Sequence, residues 1–303
     1  MVDSSAGVIE AGNAAADAAV EARREALDQA KKSTLKTAAK PELAAKPVKA
    51  GKPEWHQFEV TGWLTNYNSF EFGFWRRERN KAKSRQFTND MDIFADVSEG
   101  GVRTELLGYR EDLWTKNTGM DKRLVFKMFS ENLNWHGTMD LMLARSIQQT
   151  LGARGLPVMS FAMNTNSHEQ VVYLERSAKK WPLMPENFSF FLMDDKHLEF
   201  YRIRKDVFCL GADYTVYNQR DEAIAYLDGR IFNLASKWKC RVRADHSDKR
   251  LLTVLKMFCG MLIFNKPCRR HIETLAEAVR HGRANPKIER QEADLYMNPR
   301  RVR

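Results

Sequence analysis

Four basic residues at alternating positions, near residue 240, are the strongest candidates for a binding function. They are Lys237, Lys239, Arg241 and Arg243, and the residues between them are Trp238, Cys240 and Val242. Successive side chains of a β-strand point to opposite faces, so this pattern predicts a strand with an apolar inner face and a basic outer face. Such a row can bind phosphate or carboxylate groups. It is also common on an ordinary solvated barrel surface, because a charge row alone is a weak motif.

Two other groups of basic residues could bind the same kind of anionic ligand. Arg202 and Arg204 form a shorter row in another predicted strand. A secondary basic loop, flanked by aromatic residues, contains Arg76, Arg77, Arg79, Lys81, Lys83 and Arg85. The alternative for this loop is a solvated connection between two strands, because short basic runs are unspecific.

Motifs for metal binding are missing from the sequence. The four cysteines, none of which forms a C-x-x-C pair, are Cys209, Cys240, Cys259 and Cys268. Asp90, Asp92 and Asp96 alternate with apolar residues, and a strand spaces such carboxylates too far apart for one calcium ion. We therefore expect no metal and no cofactor. We expect Cys240 and Cys259 to be core residues of a protein in a reducing compartment.

The sequence also lacks the motifs of common enzyme classes. It contains no phosphate-binding glycine loop, nucleophile elbow or metalloprotease helix. His136 and Asp140 are spaced one helical turn apart, which permits an acid–base pair, although an exposed pair at the start of a helix has the same spacing. We therefore expect a protein that is not an enzyme.

The elements that must position the basic rows lie in residues 200–264. Four segments rich in aromatic and β-branched residues predict short strands. Asp228-Gly229 lies between two of them and predicts a type I′ hairpin turn, because this dipeptide tolerates positive φ. The apolar block Leu251 to Phe264 predicts a helix buried inside the protein. The alternative is a re-entrant or interfacial membrane segment, since spanning a bilayer takes about 20 apolar residues.

Residues 200–264 resemble the tubby C-terminal-like superfamily. The resemblance rests on Asp213-Tyr214-x-Val216-Tyr217, on the segment Tyr226 to Leu234, on Lys237-Trp238 and on the apolar block that follows. The segment Tyr226-Leu-Asp-Gly-Arg-Ile-Phe-x-Leu234 is most similar to LURP-one-related proteins, and the order of the later motifs is similar to the end of phospholipid scramblases. The stretch Asn218 to Asp221 departs from the family in lacking a turn glycine. The resemblance implies a closed β-barrel threaded by a hydrophobic helix, in proteins that mostly bind membranes or phosphoinositides or act as scaffolds.

The remaining sequence predicts three parts. Residues 1–55, rich in Ala, Lys and Pro, are expected to form a disordered N-terminal segment. Residues 56–264 hold a barrel around a central helix at 251–264, with outer strands predicted around Phe58, Phe70 to Phe74 and Met91 to Val97. Residues 265–303 hold C-terminal helices and a basic tail. The alternative is two separate domains divided near residue 185.

The predicted fold class is therefore α+β: a mostly antiparallel β-barrel wrapped round a buried hydrophobic helix, with flanking amphipathic helices. Helical periodicity predicts two such flanking helices, over residues 139–151 and, after a break at Pro267, over residues 272–279. Met139 and Met142 fall on the apolar face of the first helix, where they are expected to pack against the core.

The composition favours an anionic partner. The chain has 303 residues, a formal net charge of +10 and a pI of about 9.4. We expect a cytoplasmic protein that docks peripherally on anionic phospholipid or phosphoinositide membranes. The alternatives are a nucleic-acid-binding protein, which the positive charge permits, and a structural scaffold that binds a protein partner through its amphipathic helices.

Overall fold

The computed structural model describes residues 54–62, 81–82, 91–178, 184–193, 197–207, 213–230 and 236–297. The predicted disordered segment 1–55 lies outside these residues except for Glu54 and Trp55, and Trp55 is the first residue of a strand. The predicted strand around Phe70 to Phe74 and the basic tail also lie outside them. So does the secondary basic loop, except for Lys81 and Ala82, which form a short strand instead of a loop.

The described part of the chain contains thirteen antiparallel strands. They are β1 (Trp55–Gly62), β2 (Lys81–Ala82), β3 (Met91–Glu99), β4 (Val102–Tyr109), β5 (Val125–Ser130), β6 (Trp135–Leu141), β7 (Met159–Thr165), β8 (His168–Arg176), β9 (Asn187–Met193), β10 (Leu198–Lys205), β11 (Tyr214–Tyr217), β12 (Ala223–Arg230) and β13 (Lys237–Arg243). β1 pairs with both β13 and β3, so β1 and β3 to β13 close a barrel of twelve strands. The two-residue β2 pairs with the beginning of β3, beyond the end of β1. The predicted barrel is confirmed, and the pairing of β8 with β9 across residue 185 makes the two-domain alternative wrong.

A long apolar helix fills the barrel. The helices are α1 (Glu111–Trp114), α2 (Leu143–Gly152), α3 (Lys249–Arg280) and α4 (Arg290–Met297), with short 3-10 turns at Gly119–Asp121 and Ala244–His246. Almost every residue of α3 from Leu251 to Met261 is buried, which explains why this segment is apolar on all sides. The aromatic rings of the strands pack around the helix. Phe258 contacts Phe188 and Tyr214, with ring centroids 5.0 Å and 5.5 Å apart.

The hydropathy of α3 is explained by its position inside the protein. By length and composition alone α3 could cross a membrane, but 67% of its most apolar window is buried within the molecule. A core helix of a soluble protein has the same hydropathy, so the feature is weak evidence for a membrane span.

α3 continues through Pro267, so the predicted break and the separate helix over 272–279 are wrong. The helix runs 32 residues without interruption and contains Pro267 within it. A proline inside a helix costs about 3 kcal/mol through the lost hydrogen bond and the clash with the preceding turn. Beyond the proline, Ile272, Leu275 and Ala276 are buried against the rest of the protein. This packing favours continuation of the helix and offsets the local cost.

Two other local predictions are corrected by strand pairing. Met139 lies in β6 and points into the barrel, so the predicted helix over 139–151 begins only at Leu143. Asp228-Gly229 is not a turn, because both residues lie within β12 and pair with Lys239 and Trp238 of β13. The backbone N–H of Gly229 instead donates a hydrogen bond to the Asp213 carboxylate at 2.8 Å.

A residue with positive φ does occur in the preceding turn, between β11 and β12. Asp221 has a φ of 64° there, without a glycine. The Asn218 side chain accepts hydrogen bonds from the N–H groups of Arg220 and Glu222, at 2.9 Å and 3.0 Å. Asn and Asp tolerate this conformation and replace turn hydrogen bonds with their own side chains, so the turn forms without a glycine.

Candidate functional site on the outer barrel face

The alternation predicted for β13 is confirmed. Trp238, Cys240 and Val242 are buried inside the barrel, whereas the basic residues between them point outward. β13 is held in register by β1 on one side and by β12 on the other. The barrel wall therefore fixes the spacing of the four basic residues on its outer face.

Two of these four basic residues form ion pairs with nearby carboxylates. Nζ of Lys237 lies 2.6 Å from Oε2 of Glu59 on β1. The Arg243 guanidinium donates two hydrogen bonds to Asp245, at 3.1 Å and 2.5 Å. The predicted row is therefore neutralised at both of its ends, which weakens its attraction for an external anion.

The middle of the row is different, because Arg241 lies beside an aromatic ring. The Arg241 guanidinium lies 5.8 Å from the ring centroid of Tyr226 on β12. The Tyr226 ring in turn lies 5.7 Å from that of Trp55 on β1, and Tyr226 is 37% exposed. Lys239 is the next outward residue along β13, at a position between Glu59 and Asp228 on the adjacent strands. We call Trp55, Tyr226, Lys239 and Arg241 the aromatic–basic cluster.

Arg202 and Arg204 lie on the same side of the barrel but not beside β13. They belong to β10, and β11 and β12 separate them from β13. At about 4.8 Å per strand, the two rows are roughly 14 Å apart. The register nevertheless places Arg204, Thr215, Tyr226 and Arg241 on one line across four strands. Arg202 forms an ion pair with Asp221, whereas Arg204 is exposed.

Sequence reasoning missed the aromatic–basic cluster, although part of its signal was present. Tyr226 alternates with the inward residues Ala225 and Leu227, so its outward direction could have been inferred from strand periodicity. The residues beside it, Trp55 on β1 and Arg241 on β13, could not be inferred, because they depend on which strands close the barrel. Of the secondary basic loop, only Lys81 is described, and its backbone pairs with Asp92 of β3.

The proposed acid–base pair of His136 and Asp140 is wrong. Both residues lie in strand β6, where four residues span about 13 Å instead of one helical turn. The Asp140 carboxylate accepts two hydrogen bonds from the Arg123 guanidinium, one of them at 3.0 Å. Burial raises the pKa of Asp140, and the charge of Arg123 opposes this rise. His136 belongs to a different cluster at the barrel end.

That cluster is an interior ionic group at the end of the barrel where α3 begins. Nζ of Lys256 on α3 lies 2.7 Å from a Glu99 oxygen and 2.8 Å from a Glu105 oxygen. Nδ1 of His136 lies 3.5 Å from the other oxygen of Glu105. Burial raises the pKa of Glu105, but the interactions with His136 and Lys256 outweigh it and hold the pKa below its usual value. The group attaches the helix to the barrel wall.

A second polar group attaches α3 near the other end of the barrel. The Glu186 carboxylate accepts hydrogen bonds from Arg176, from the Tyr214 hydroxyl at 3.0 Å and from the Asn265 amide at 3.2 Å. Arg176 is fully buried and also donates to the carbonyl of Pro157 at 2.8 Å. The Glu186 carboxylate and its donors satisfy one another, whereas the buried Oδ1 of Asn265 has no hydrogen-bond partner among the described residues. The arrangement is typical of a structural network.

The cysteines described are core residues, as predicted. Cys240 on β13 and Cys259 on α3 are completely buried, with sulfur atoms 3.5 Å apart. Burial raises the pKa of the Cys240 and Cys268 thiols, which makes them poor nucleophiles. Within the part of the chain that the structure describes, no group of three or more His, Cys, Asp or Glu side chains could hold a metal ion.

Comparison of the chain with family models, with curated proteins and with solved structures finds no match. The resemblance of residues 200–264 to the tubby-like superfamily therefore stays a prediction.

Proposed function

We propose that this protein is a non-catalytic, peripheral membrane-binding protein that docks on anionic phospholipid or phosphoinositide surfaces. The observation that carries the proposal is the aromatic–basic cluster on the outer barrel face. The Arg241 guanidinium lies beside the Tyr226 ring, the Tyr226 ring lies beside that of Trp55, and Lys239 is the next outward residue of β13. Arg204 extends the cationic surface on the same line across the strands.

The combination of cations and amphipathic rings suits a bilayer surface. Tyr and Trp favour the headgroup region, where one side of the ring is wet and the other apolar. Each basic residue near an anionic leaflet contributes about 1 kcal/mol. Because Lys237, Arg202 and Arg243 are paired with carboxylates, we assign most of the attraction to Arg241 and Arg204, and a smaller share to Lys239, whose neighbours on the adjacent strands are Glu59 and Asp228. Lys237 and Arg243, at the ends of the predicted row, therefore contribute less than the sequence suggested, but the proposed docking face is still the outer face of β13.

The architecture also supports the proposal. A closed barrel threaded by an apolar helix is the fold that the tubby-like resemblance implied, and the mostly buried α3 makes peripheral docking the simplest membrane role. We place the protein in the cytoplasm, at the surface of a membrane, where anionic lipids are concentrated.

The test is sedimentation with vesicles of neutral phosphatidylcholine and with vesicles that also contain about 30% phosphatidylserine or a few per cent phosphoinositide. We expect wild type to bind only the anionic vesicles. The Lys239→Glu, Arg241→Glu double variant should lose most of this binding. Equal binding to both kinds of vesicle, or no binding to either, would overturn the proposal.

A matched control separates a local effect from a change in total charge. Arg103 is exposed on β4, three strands from β13 around the barrel, where it forms an ion pair with Glu131, and Lys116 is exposed on the segment that follows β4. The Arg103→Glu, Lys116→Glu variant changes the net charge by the same amount. It should bind anionic vesicles much more strongly than the Lys239→Glu, Arg241→Glu variant does. Equal losses in the two variants would mean that the aromatic–basic cluster has no special role.

A further inference from the structure

An exposed apolar patch occupies the outer face of the hairpin formed by β9 and β10. Phe191 is 53% exposed, Met193 49% and Leu198 56%. Phe191 pairs with Phe200 and Met193 with Leu198, and the two phenylalanine rings lie 4.9 Å apart. We call these four residues the hairpin patch. Contiguous exposed side chains of this size mark an interaction surface more often than scattered single ones do.

Basic residues continue the same face of the hairpin directly beyond the patch. Arg202 pairs with Ser189, and Arg204 pairs with Asn187, at the next two outward positions of β10. β10 therefore presents Leu198, Phe200, Arg202 and Arg204 in order along one outward line. Apolar residues beside arginines on one outward face suit an anionic bilayer surface, because the apolar side chains can reach the acyl boundary while the long arginine side chains keep their charged ends among the headgroups.

We propose that the hairpin patch inserts into the boundary between headgroups and acyl chains of an anionic bilayer. The inference rests on the proposed function, and it adds an apolar anchor to the electrostatic attraction of the aromatic–basic cluster. Arg202 and Arg204 then lie at the level of the lipid phosphates. The patch adjoins the proposed docking face, because Phe200 of the patch lies only two outward positions from Arg204 on β10.

The charges near the hairpin turn indicate which surface makes the contact. Met193 is followed in the sequence by Asp194 and Asp195, which lie outside the described residues. Carboxylates are repelled by an anionic leaflet. We therefore assign insertion to the outer face of the two strands, with the barrel lying on its side, and not to the turn.

The experiment places an environment-sensitive fluorophore on the patch. Leu198→Cys is labelled with nitrobenzoxadiazole in a Cys209→Ser background, since the three described cysteines are buried. The control is Val102→Cys, because Val102 is 67% exposed at the same end of the barrel but lies on β4, six strands from β10 and thus diametrically opposite. Vesicles of phosphatidylcholine with about 30% phosphatidylserine are then added.

We expect the emission at position 198 to shift to the blue and to rise about twofold or more, because the fluorophore leaves water, while position 102 stays unchanged. The Phe191→Ser, Leu198→Ser variant should bind the same vesicles about tenfold more weakly. Both residues are half exposed, and thermal unfolding checks that the variant keeps its fold.

The outcomes separate this inference from the proposed function. If wild type sediments with anionic vesicles but position 198 reports water, the apolar anchor is wrong and electrostatic docking stands. Equal signals at positions 198 and 102 would also contradict the anchor. If wild type sediments with no vesicle, both the docking and the anchor are wrong.

Discussion

Lys256 lies inside the barrel with its Nζ atom 2.8 Å from Oε2 of Glu105, although 151 residues separate them in the sequence. Both side chains are buried, so this is an interior ion pair between the central helix and the barrel wall. An interior charge that loses its partner is costly, because the remaining group is neither solvated nor paired. The stability of the barrel should therefore depend on this contact.

Replacing Lys256 with Met should destabilise the protein by about 3 kcal/mol or more, because it leaves Glu105 and Glu99 without their shared cation. The free energy of unfolding in urea measures the effect. The control is Lys237→Met, which breaks the half-exposed pair with Glu59 and should cost less than about 1 kcal/mol. Equal losses in the two variants would contradict a special role for the interior pair.

For Lys256, the sequence predicted the buried helix that carries it but not the contact with Glu105. The apolar character of Leu251 to Phe264 was enough to predict a buried helix, because a helix that is apolar on all sides lies in a protein core or a membrane, and this block is shorter than a membrane span. Lys256 was visible only as an interruption of that block. Its partners are fixed by the closure of twelve strands, which depends on contacts between distant segments and has no local signal.

The same distinction separates the correct and incorrect local predictions. The strand alternation of β13 was readable because buried and basic residues contrast at every step. Asp228-Gly229 was misread because a dipeptide that permits a turn does not require one, and pairing with β13 decided the outcome. Pro267 was wrongly predicted to end a helix. Packing of the residues beyond it outweighed the helix-breaking preference of proline, and the helix continues.

The Glu186 network should make the protein sensitive to acid. Burial raises the pKa of Glu186, but the charge and hydrogen bond of Arg176, with those of Asn265 and Tyr214, hold it below the ordinary value of 4.5. A carboxyl whose pKa is lower in the folded state contributes stability above its unfolded pKa, and this contribution is lost as pH falls through the folded pKa. Wild type should therefore be more stable than Glu186→Gln at pH 7, and the difference should shrink below about pH 4.5. Urea unfolding of both proteins at pH 7 and at a series of pH values below about 4.5 measures the difference, and a difference that stays constant throughout this range would contradict the prediction.

The described cysteines should not react with alkylating reagents in the folded protein. Cys240, Cys259 and Cys268 are completely buried, and burial raises the thiol pKa of Cys240 and Cys268. The thiolate is the reactive form, so both access and ionisation oppose the reaction. Iodoacetamide at neutral pH, followed by peptide mass spectrometry, should leave these three residues unmodified in the native protein and modify them in urea. Native modification of Cys240 or Cys259 would mean that the barrel opens around α3.

Glu292 on α4 should hold the C-terminal helix against the barrel. Its two carboxylate oxygens accept hydrogen bonds from the backbone N–H groups of Ala144 and Arg145, at 3.0 Å and 2.8 Å. These N–H groups belong to the first turn of α2, where the N-cap residue Met142 supplies no side-chain acceptor. A carboxylate from a distant helix thus replaces the missing cap and also meets the positive end of the helix dipole.

Glu292→Ala should therefore destabilise the protein by about 1–2 kcal/mol, the usual cost of losing a helix cap. It should also release α4, so that limited proteolysis cuts between α3 and α4 faster than in wild type while the barrel core stays intact. The control is Glu289→Ala, which removes a nearby half-buried carboxylate that contacts the exposed Lys287 at 3.3 Å and should leave both measurements nearly unchanged. Because a glutamine side chain keeps one acceptor oxygen, Glu292→Gln should fall between alanine and wild type. If Glu292→Ala and Glu289→Ala were cut at the same rate, the hydrogen bonds of Glu292 would not be what keeps α4 in place.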